Sequence, residues 1–219
     1  MPPEPTRGRF HLYDISRTIS PTLAVWPGDT SFSFDYTLRT EEGASVNLTT
    51  LTLSPHTGSH ADAPYHITAD GAHPAALPLE RYIGPAHVVT IDRQHGGIVP
   101  DDFAGRDLTG LERLLIHTWV SDLPEDRWPD DFPYPTVDLA DWLAGQGVVL
   151  LGLDCPSVDR FDSTDLPVHH RLLAHGIANL ETLRLAGVPD GVYELIALPL
   201  KLDGVCGSPV RAVLRAWIE

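Results

Sequence analysis

Residues 137–154 read VDLADWLAGQGVVLLGLD, and this stretch decides the fold class. In its first half, Leu139, Trp142 and Leu143 recur at helical spacing and glycines follow, which predicts a helix over Val137–Gly145. Its second half is a short apolar run of the length and composition of a buried strand. A helix joined to a strand by a short glycine-containing link is an αβ unit, so the stretch predicts an α/β protein.

Further strand-like segments, rich in Val, Ile, Leu and Thr, lie on both sides of this unit. The predicted strands are Ser45–Ser54, Ala86–Asp92, Leu111–Thr118, Val148–Asp154, Val192–Leu200 and, with a weaker pattern, Val210–Ile218. The first convincing strand is Ser45–Ser54, whose apolar residues change parity between Leu48 and Leu51, which predicts a bulge or a switch of face. No repeat or long linker divides the chain. We therefore predict a mixed α/β single domain over residues 10–219, after a flexible, proline-rich N-terminal tail at 1–9.

Composition narrows the class of function. The 219 residues carry 30 acidic and 15 Lys or Arg side chains, a formal net charge of -15, which argues against a nucleic-acid partner. Two cysteines, Cys155 and Cys206, are too few for a disulfide framework. No stretch approaches the ~18 uninterrupted apolar residues of a membrane span, and the N-terminus lacks the apolar core of a signal peptide. The sequence therefore predicts a soluble cytoplasmic protein.

Three of the eleven histidines lie within residues 56–66, HTGSHADAPYH, together with an aspartate. Two histidines four residues apart can share one face of a helix, as in zinc proteases, but Gly58 and Pro64 interrupt this run. An extended chain fits better, because side chains then repeat every second residue. With a kink at Gly58, we expect four even-numbered side chains to converge on one side of the backbone: His56, His60, Asp62 and His66.

The chemistry of these four groups is that of a catalytic metal site. Neutral imidazole and carboxylate are typical zinc ligands, and carboxylate oxygen also suits manganese. Three protein ligands leave one coordination position for water, and a bound metal lowers the pKa of that water to about 7. A further histidine beside the metal can move protons. The run therefore predicts a metal-dependent hydrolase.

The same run resembles the H-x-G-[TA]-H-x-D-x-P-x-H signature of the cyclase-like metal-dependent hydrolases, and most closely their bacterial kynurenine formamidase (arylformamidase) branch. One position departs from the signature, Ser59, and it lies between the expected ligands. The likeness extends from about residue 10 to the end of the chain. The other segments that carry it are Tyr13–Ser16, Val25–Thr30, Asp154–Asp159 and Glu194–Leu200.

This resemblance implies a barrel-like mixed sheet flanked by helices, of the swivelling β/β/α type, and two divalent metal ions, usually zinc, with manganese as an option. The metal ligands that it implies are His56, His60, Asp62, His169 and Glu181. His170 competes with His169, because the two form a doublet and a shift of one residue exchanges them. The resemblance assigns His66 as proton donor and acceptor and Trp26 as a substrate contact.

The implied reaction is hydrolysis of N-formyl-L-kynurenine to formate and L-kynurenine in tryptophan degradation, by a homodimer. The nearest alternative is another amide hydrolase of the family, such as an isatin hydrolase. A serine hydrolase would need a G-x-S-x-G turn, which the sequence lacks, and a cysteine hydrolase would need a reactive Cys155. A metal-binding protein without catalysis would share the ligands but lack a proton shuttle.

Overall fold

A computed structural model describes residues 9–218. The strands in chain order are β1 (Arg9–Asp14), β2 (Ser33–Leu38), β3 (Leu48–Thr52), β4 (His60–Asp62), β5 (Ile83–Thr90), β6 (Gly97–Ile98), β7 (Arg113–His117), β8 (Tyr134–Pro135), β9 (Leu150–Leu153), β10 (Ala178–Glu181), β11 (Gly191–Ile196), β12 (Gly207–Pro209) and β13 (Val213–Ile218). The α-helices are α1 (Val137–Gly145) and α2 (Pro167–His175). Short 3-10 helices of three or four residues connect several of these elements.

The main sheet has nine strands in the order β1-β13-β11-β5-β7-β9-β10-β4-β12. Its centre, β5-β7-β9-β10, is parallel, whereas the strands on both flanks are antiparallel. The sheet curls into a half-barrel, and the chain forms a single α/β domain as the sequence predicted. Buried parallel strands carry apolar side chains on both faces, which explains why the central strands read as continuous apolar runs.

The αβ unit that predicted the fold class is confirmed. The helix α1 begins after Thr136, whose hydroxyl accepts a hydrogen bond from the Leu139 N–H at 3.2 Å. Its buried face carries Leu139 and Leu143, which pack into the larger apolar core between the sheet and the two helices. A second core of buried apolar residues lies on the other side of the sheet.

Five of the predicted strands coincide with strands of the main sheet, namely β5, β7, β9, β11 and β13. Ser45–Ser54 is not the first strand, because β1 and β2 precede it. Those strands went unpredicted since nearly all of their side chains are exposed and the apolar residues therefore show no core pattern. The helix α2 was also missed, because it is short and four of its nine residues are His or Arg.

The segment Ser45–Ser54 contains β3, which pairs with β2 in a separate two-stranded hairpin and not in the main sheet. Every residue of both strands is exposed. The pairing shifts register between Tyr36 and Leu38, so the predicted irregularity is present but lies on β2. The hairpin connects the loop that contains Trp26 to the histidine run.

The predicted tail at 1–9 falls mostly on residues 1–8, which lie outside the described residues, and Arg9 is the first residue of β1. Within residues 9–218, no helix has both the length and the apolar character needed to cross a bilayer.

Candidate metal centre and active-site cavity

The histidine run folds as a short strand between two turns. Only His60–Asp62 is extended, as β4, so the prediction of an extended strip across the whole run is wrong outside these residues. Gly58 has a φ of 67°, in the left-handed region that glycine adopts without strain. Pro64 begins a 3-10 helix that ends at His66. The turns still bring the histidines together: the ring of His56 lies 4.3 Å from that of His66 and 4.9 Å from that of His60.

A second segment completes the cluster from the other side. Glu181 ends β10 and pairs with His60 across the antiparallel β4–β10 ladder. His169 is buried on α2, and its Nε2 lies 3.3 Å from Asp62 Oδ2 and 3.4 Å from Glu181 Oε1. The neighbouring His170 is exposed. The helix therefore presents His169 and not His170 to the two carboxylates.

Hydrogen bonds fix the direction in which each buried imidazole points. Nδ1 of His60 donates to the Gly58 carbonyl at 2.8 Å, and Nδ1 of His169 donates to Asp159 Oδ2 at 2.6 Å. In both rings Nε2 then faces the carboxylates. A metal-ligating histidine characteristically donates its other ring N–H in this way. Asp159 lies within the segment that carries the family resemblance, but its role in orienting His169 could not be predicted from the sequence.

The carboxylates are held as firmly as the imidazoles. Asn179 donates to Asp62 Oδ2 at 2.7 Å and to Glu181 Oε1 at 3.2 Å, and the Val158 N–H donates to Glu181 Oε1 at 2.9 Å. The residue after Glu181, Thr182, has a positive φ of 53°. A positive φ strains a non-glycine residue, and such strain is found where the surrounding structure fixes a functional site.

Neighbouring charges shift the pKa values of the buried cluster more than burial does. Burial disfavours protonated His60, but the adjacent carboxylates of Asp62 and Glu181 outweigh burial and raise the pKa of His60 to about 10. Burial likewise opposes protonation of His169, yet Asp159, Asp62 and Glu181 raise its pKa well above the usual value. Burial tends to raise the pKa of Asp62, but the surrounding histidines hold it well below its usual value. The carboxylates therefore need positive charge next to them.

The residues fit a metal ion on two further observations. His60 Nε2 and Asp62 Oδ1 are buried and have no hydrogen-bond partner among the described residues. Buried polar atoms without a partner are costly, and a cation between them removes that cost. Two sets of three side chains could each hold a metal ion, because the ligand atoms within each set lie within 4.8 Å of one another. One set is His56, His60 and Asp62, and the other is Asp62, His66 and His169. Imidazole nitrogen and carboxylate oxygen are the donor set that zinc and manganese accept.

The two cysteines differ in position. Cys206 Sγ lies 3.2 Å from His56 Nε2 at the edge of the cluster, a place that the sequence did not predict. Cys155 is fully buried, and burial together with the charge of Asp154 raises the pKa of its thiol well above the usual value. A buried thiol with a raised pKa is a poor nucleophile, so the structure gives no support to a cysteine hydrolase.

The cluster, which is the charged end of the site, borders a cavity of about 330 Å³. Trp26, which is 36% exposed, lines the same cavity, with its ring 5.6 Å from Trp128 and 5.1 Å from Phe161, and these three rings form the aromatic end of the site. His66 is exposed and lines this cavity too. The structure thus brings six of the seven predicted site residues to this cavity; the seventh, Asp62, lies within the cluster but does not line the cavity. Trp128 and Phe161 were not predicted, because nothing in their local sequence distinguishes them from other aromatic residues.

The sequence model of a family described as "Putative cyclase" matches residues 13–160. The chain belongs to this family. Two of its relatives are named kynurenine formamidase. The one from Salinibacter ruber is 49% identical over 205 residues, covering 93% of this chain and 97% of the relative. The one from Bacillus cereus is 43% identical over 202 residues, covering 92% and 96%.

Solved structures of the cyclase family share the fold. One, described as a potential metal-dependent hydrolase with cyclase activity, has a TM-score of 0.81 at 28% identity and covers 96% of this chain and 100% of its own. Isatin hydrolase A from Labrenzia aggregata has a TM-score of 0.80 over 95% of this chain and 94% of its own, but at 23% identity it shows the fold alone. The chain is a hydrolase of the cyclase family.

Proposed function

We propose that this chain hydrolyses N-formyl-L-kynurenine to formate and L-kynurenine, as a step of tryptophan degradation, with two divalent metal ions per subunit. The observation that carries the proposal is the buried cluster of histidines and carboxylates beside a cavity that the rings of Trp26 and Trp128 line. The relatives named kynurenine formamidase, which match almost the whole chain, support the same substrate.

The proposed metal ligands are those that the resemblance implied: His56, His60, Asp62, His169 and Glu181. We propose zinc as the metal, with manganese as the second candidate, because the ligands combine imidazole nitrogen with carboxylate oxygen. Bound cations would supply Lewis-acid activation of the formyl carbonyl and of water. Asp62 and Glu181 would supply carboxylate oxygens to the cations, and the three histidines would supply imidazole nitrogens.

His66 is the proposed proton donor and acceptor. Its ring lies 4.3 Å from that of His56 and 5.8 Å from that of His169, so it stands over the cluster and faces the cavity. Burial by the cavity walls lowers the pKa of His66, although the charge of Asp62 opposes this effect. The imidazole is therefore neutral at pH 7 and accepts the proton of the attacking water. It then donates that proton to the aniline nitrogen as the C–N bond breaks.

The aromatic end of the cavity holds the substrate ring in this proposal. Trp26 is packed edge-on against Trp128 and tilted against Phe161, so its orientation is fixed before substrate enters. An aromatic pair contributes about 0.5–1.5 kcal/mol beyond the burial of its area. This contact orients the formamide toward the cluster and His66.

Isatin hydrolysis is the second candidate, because an isatin hydrolase shares the fold. The two functions separate in one assay: the metal-loaded protein is given N-formyl-L-kynurenine and isatin in parallel, and kcat/KM is measured for each. The proposal expects a preference of at least about a hundredfold for the formyl substrate, since a site built for one substrate discriminates by several kcal/mol. A higher kcat/KM for isatin contradicts the proposed substrate.

The His169–His170 pair provides a matched control for the ligand assignment. His169→Ala removes a buried imidazole from the cluster, whereas His170→Ala changes an exposed neighbour on the same helix. We expect the first variant to lose bound metal and hydrolysis and the second to keep both. The reverse result would move the ligand to His170.

We further propose a homodimer, as the family resemblance implies, and a cytoplasmic location, which the two free cysteines suit. The exposed hairpin of β2 and β3 supports a dimer, because an isolated two-stranded hairpin is only marginally stable in water. Its exposed apolar side chains include Phe34, Leu48 and Leu51. Light scattering of the purified protein measures the mass directly, and a monomer at micromolar concentration contradicts the dimer.

A further inference from the structure

A second cavity lies behind the metal-ligand cluster. It has a volume of about 50 Å³, and its walls include Arg81, Tyr82 and Asn179. Asp62 faces this back cavity, whereas His56, His60 and Glu181 face the main one. His66 and His169 line both cavities. The cluster therefore forms a partition between a large cavity and a small one, and the proposed proton shuttle is part of that partition.

The volume limits what the back cavity can hold. One water molecule needs about 10–15 Å³ in this measure, so about 50 Å³ accommodates a ligand of roughly three or four heavy atoms. The main cavity, at about 330 Å³, is the one that accommodates an aromatic amine. The two cavities thus differ in size as the two products of the proposed hydrolysis do, because formate has three heavy atoms.

Two hydrogen-bond donors in the back cavity have no partner among the described residues. The guanidinium of Arg81 makes no hydrogen bond or ion pair with any side chain or backbone group between residues 9 and 218, and neither does the hydroxyl of Tyr82. Burial raises the pKa of Tyr82, so its hydroxyl stays protonated and remains a donor. A cation beside a neutral donor suits a small carboxylate, which accepts hydrogen bonds through both oxygens.

The turn that carries Arg81 is held in place by a buried side chain. Arg113, which is 5% exposed, donates from Nε to the Arg81 carbonyl at 2.7 Å and from Nη2 to the Glu80 carbonyl at 2.6 Å. These bonds involve the backbone and leave the guanidinium of Arg81 free to face the cavity. The polar end of the cavity is therefore built on a fixed support, although Arg81 itself is only half-buried.

Arg81 also has a purely structural role available. Its Nη2 lies beside Gly176, which ends α2, and a cation near a helix C-terminus stabilises the helix by interaction with its dipole. Such a role would affect thermal stability and not the affinity for a small anion. A test of the cavity must therefore measure both quantities.

We propose that the back cavity binds the small carboxylate product of the hydrolysis, formate, with Arg81 as its counter-charge and Tyr82 as a second donor. The proposal rests on the function proposed above. Cleavage then sends the two products to opposite sides of the partition: the aromatic amine stays in the main cavity, and the one-carbon acid enters the back cavity. His66, which touches both cavities, acts at the point where the products separate.

Product inhibition of the metal-loaded enzyme by sodium formate tests the proposal. Arg81→Gln is expected to raise the inhibition constant for formate at least about tenfold while KM for N-formyl-L-kynurenine changes less than about twofold. Arg81→Lys keeps the charge and should restore part of the formate affinity. Arg171→Gln, an exposed arginine on α2 that pairs with Asp141, is the matched control and should leave formate inhibition unchanged. An unchanged inhibition constant in Arg81→Gln, with or without a lower melting temperature, overturns the proposal.

Direct binding separates this inference from the proposed function. Titration of 13C-labelled formate into the metal-loaded protein without substrate, followed by NMR, measures affinity independently of turnover. We expect weaker binding to both Arg81→Gln and Tyr82→Phe. If the wild-type protein fails to hydrolyse N-formyl-L-kynurenine but binds formate through Arg81, the substrate assignment fails and the anion site stands. If it hydrolyses the substrate and formate binds equally well to Arg81→Gln, the anion site is wrong and the substrate assignment stands.

Discussion

The charged end of the site is the metal-ligand cluster, in which His60 and Asp62 are buried and anchored by hydrogen bonds. The aromatic end is formed by Trp26, which is 36% exposed, and by Trp128 and Phe161, which pack against it. At the charged end, His60 Nε2 and Asp62 Oδ1 have no hydrogen-bond partner among the described residues, so this end is suited to a cation. The aromatic end presents ring surface and no charge. Chemistry therefore depends on the charged end, and the choice of substrate depends on the aromatic end.

The largest expected loss of activity comes from replacing His66, which acts beside the charged end without being one of its proposed metal ligands. His66→Ala should lower kcat by about 10²–10⁴-fold, because positioned general acid–base catalysis contributes about that much. The bound metal should remain, since the buried ligands are untouched. Steady-state kinetics and metal analysis on the same sample check both expectations, with His170→Ala as the control. Near-normal kcat in His66→Ala would remove the acid–base role.

A smaller loss, of metal affinity, is expected from replacing Asp159, which accepts a hydrogen bond from the proposed ligand His169. Asp159→Asn weakens the hydrogen bond that orients His169 and should lower metal affinity about 10–100-fold. Saturating metal should recover most of the activity, which distinguishes loss of metal from loss of catalysis. Asp162→Asn is the matched control, because this nearby carboxylate is exposed and pairs with Arg160. Equal metal affinity in the two variants would show that Asp159 does not orient a ligand.

Metal binding at the charged end should depend on pH, whereas the aromatic end should not respond to pH. Without metal, the imidazole of His60 is protonated up to its pKa of about 10, and the neighbouring carboxylates also raise the pKa of His169 against the effect of burial. Each proton must leave before the metal binds, so metal affinity should rise with pH, about tenfold per pH unit for each proton released. Calorimetric titration between pH 7 and pH 9 in buffers of different ionisation enthalpy counts the protons. A metal affinity independent of pH over this range contradicts a protonated His60 in the metal-free cluster.

The smallest effect is expected at the aromatic end. Trp26→Ala should raise KM for N-formyl-L-kynurenine about 2–13-fold, the equivalent of about 0.5–1.5 kcal/mol, and leave metal content unchanged. Trp26→Phe should recover part of the loss. Trp217→Ala is the control, since that tryptophan is 59% exposed on β13 and does not line the cavity. A loss of kcat larger than that of His66→Ala would reverse the division of roles between the two ends.

The two ends also differ in how far the sequence predicts them. His60, Asp62 and their neighbours form one contiguous motif whose residue types carry a chemical meaning, so the cluster could be predicted. Its extended conformation could be predicted only over β4, because the turns at Gly58 and Pro64 depend on packing against other segments. Trp128 could not be predicted as part of the cavity wall, because about a hundred residues separate it from Trp26 in the sequence. Only the folded chain brings the two rings together.

The same physical reason limits prediction of the fold. The αβ unit at Val137–Leu153 was predicted because its apolar residues face a core in a regular pattern. The strands β1 and β2 were missed because their side chains are exposed. The helix α2 was missed because it has only nine residues, four of them His or Arg, and because Leu166 before it offers no side-chain cap. It is nevertheless the element that presents His169 to the cluster.

Removal and return of the metal tests the central claim most directly. The purified protein is stripped by a chelator, and hydrolysis of N-formyl-L-kynurenine is measured as zinc is added back in known equivalents, with circular dichroism to show that the fold persists. We predict that hydrolysis is lost on stripping and returns in full at two equivalents of zinc per chain. Full hydrolysis by protein that holds no divalent metal would contradict the account.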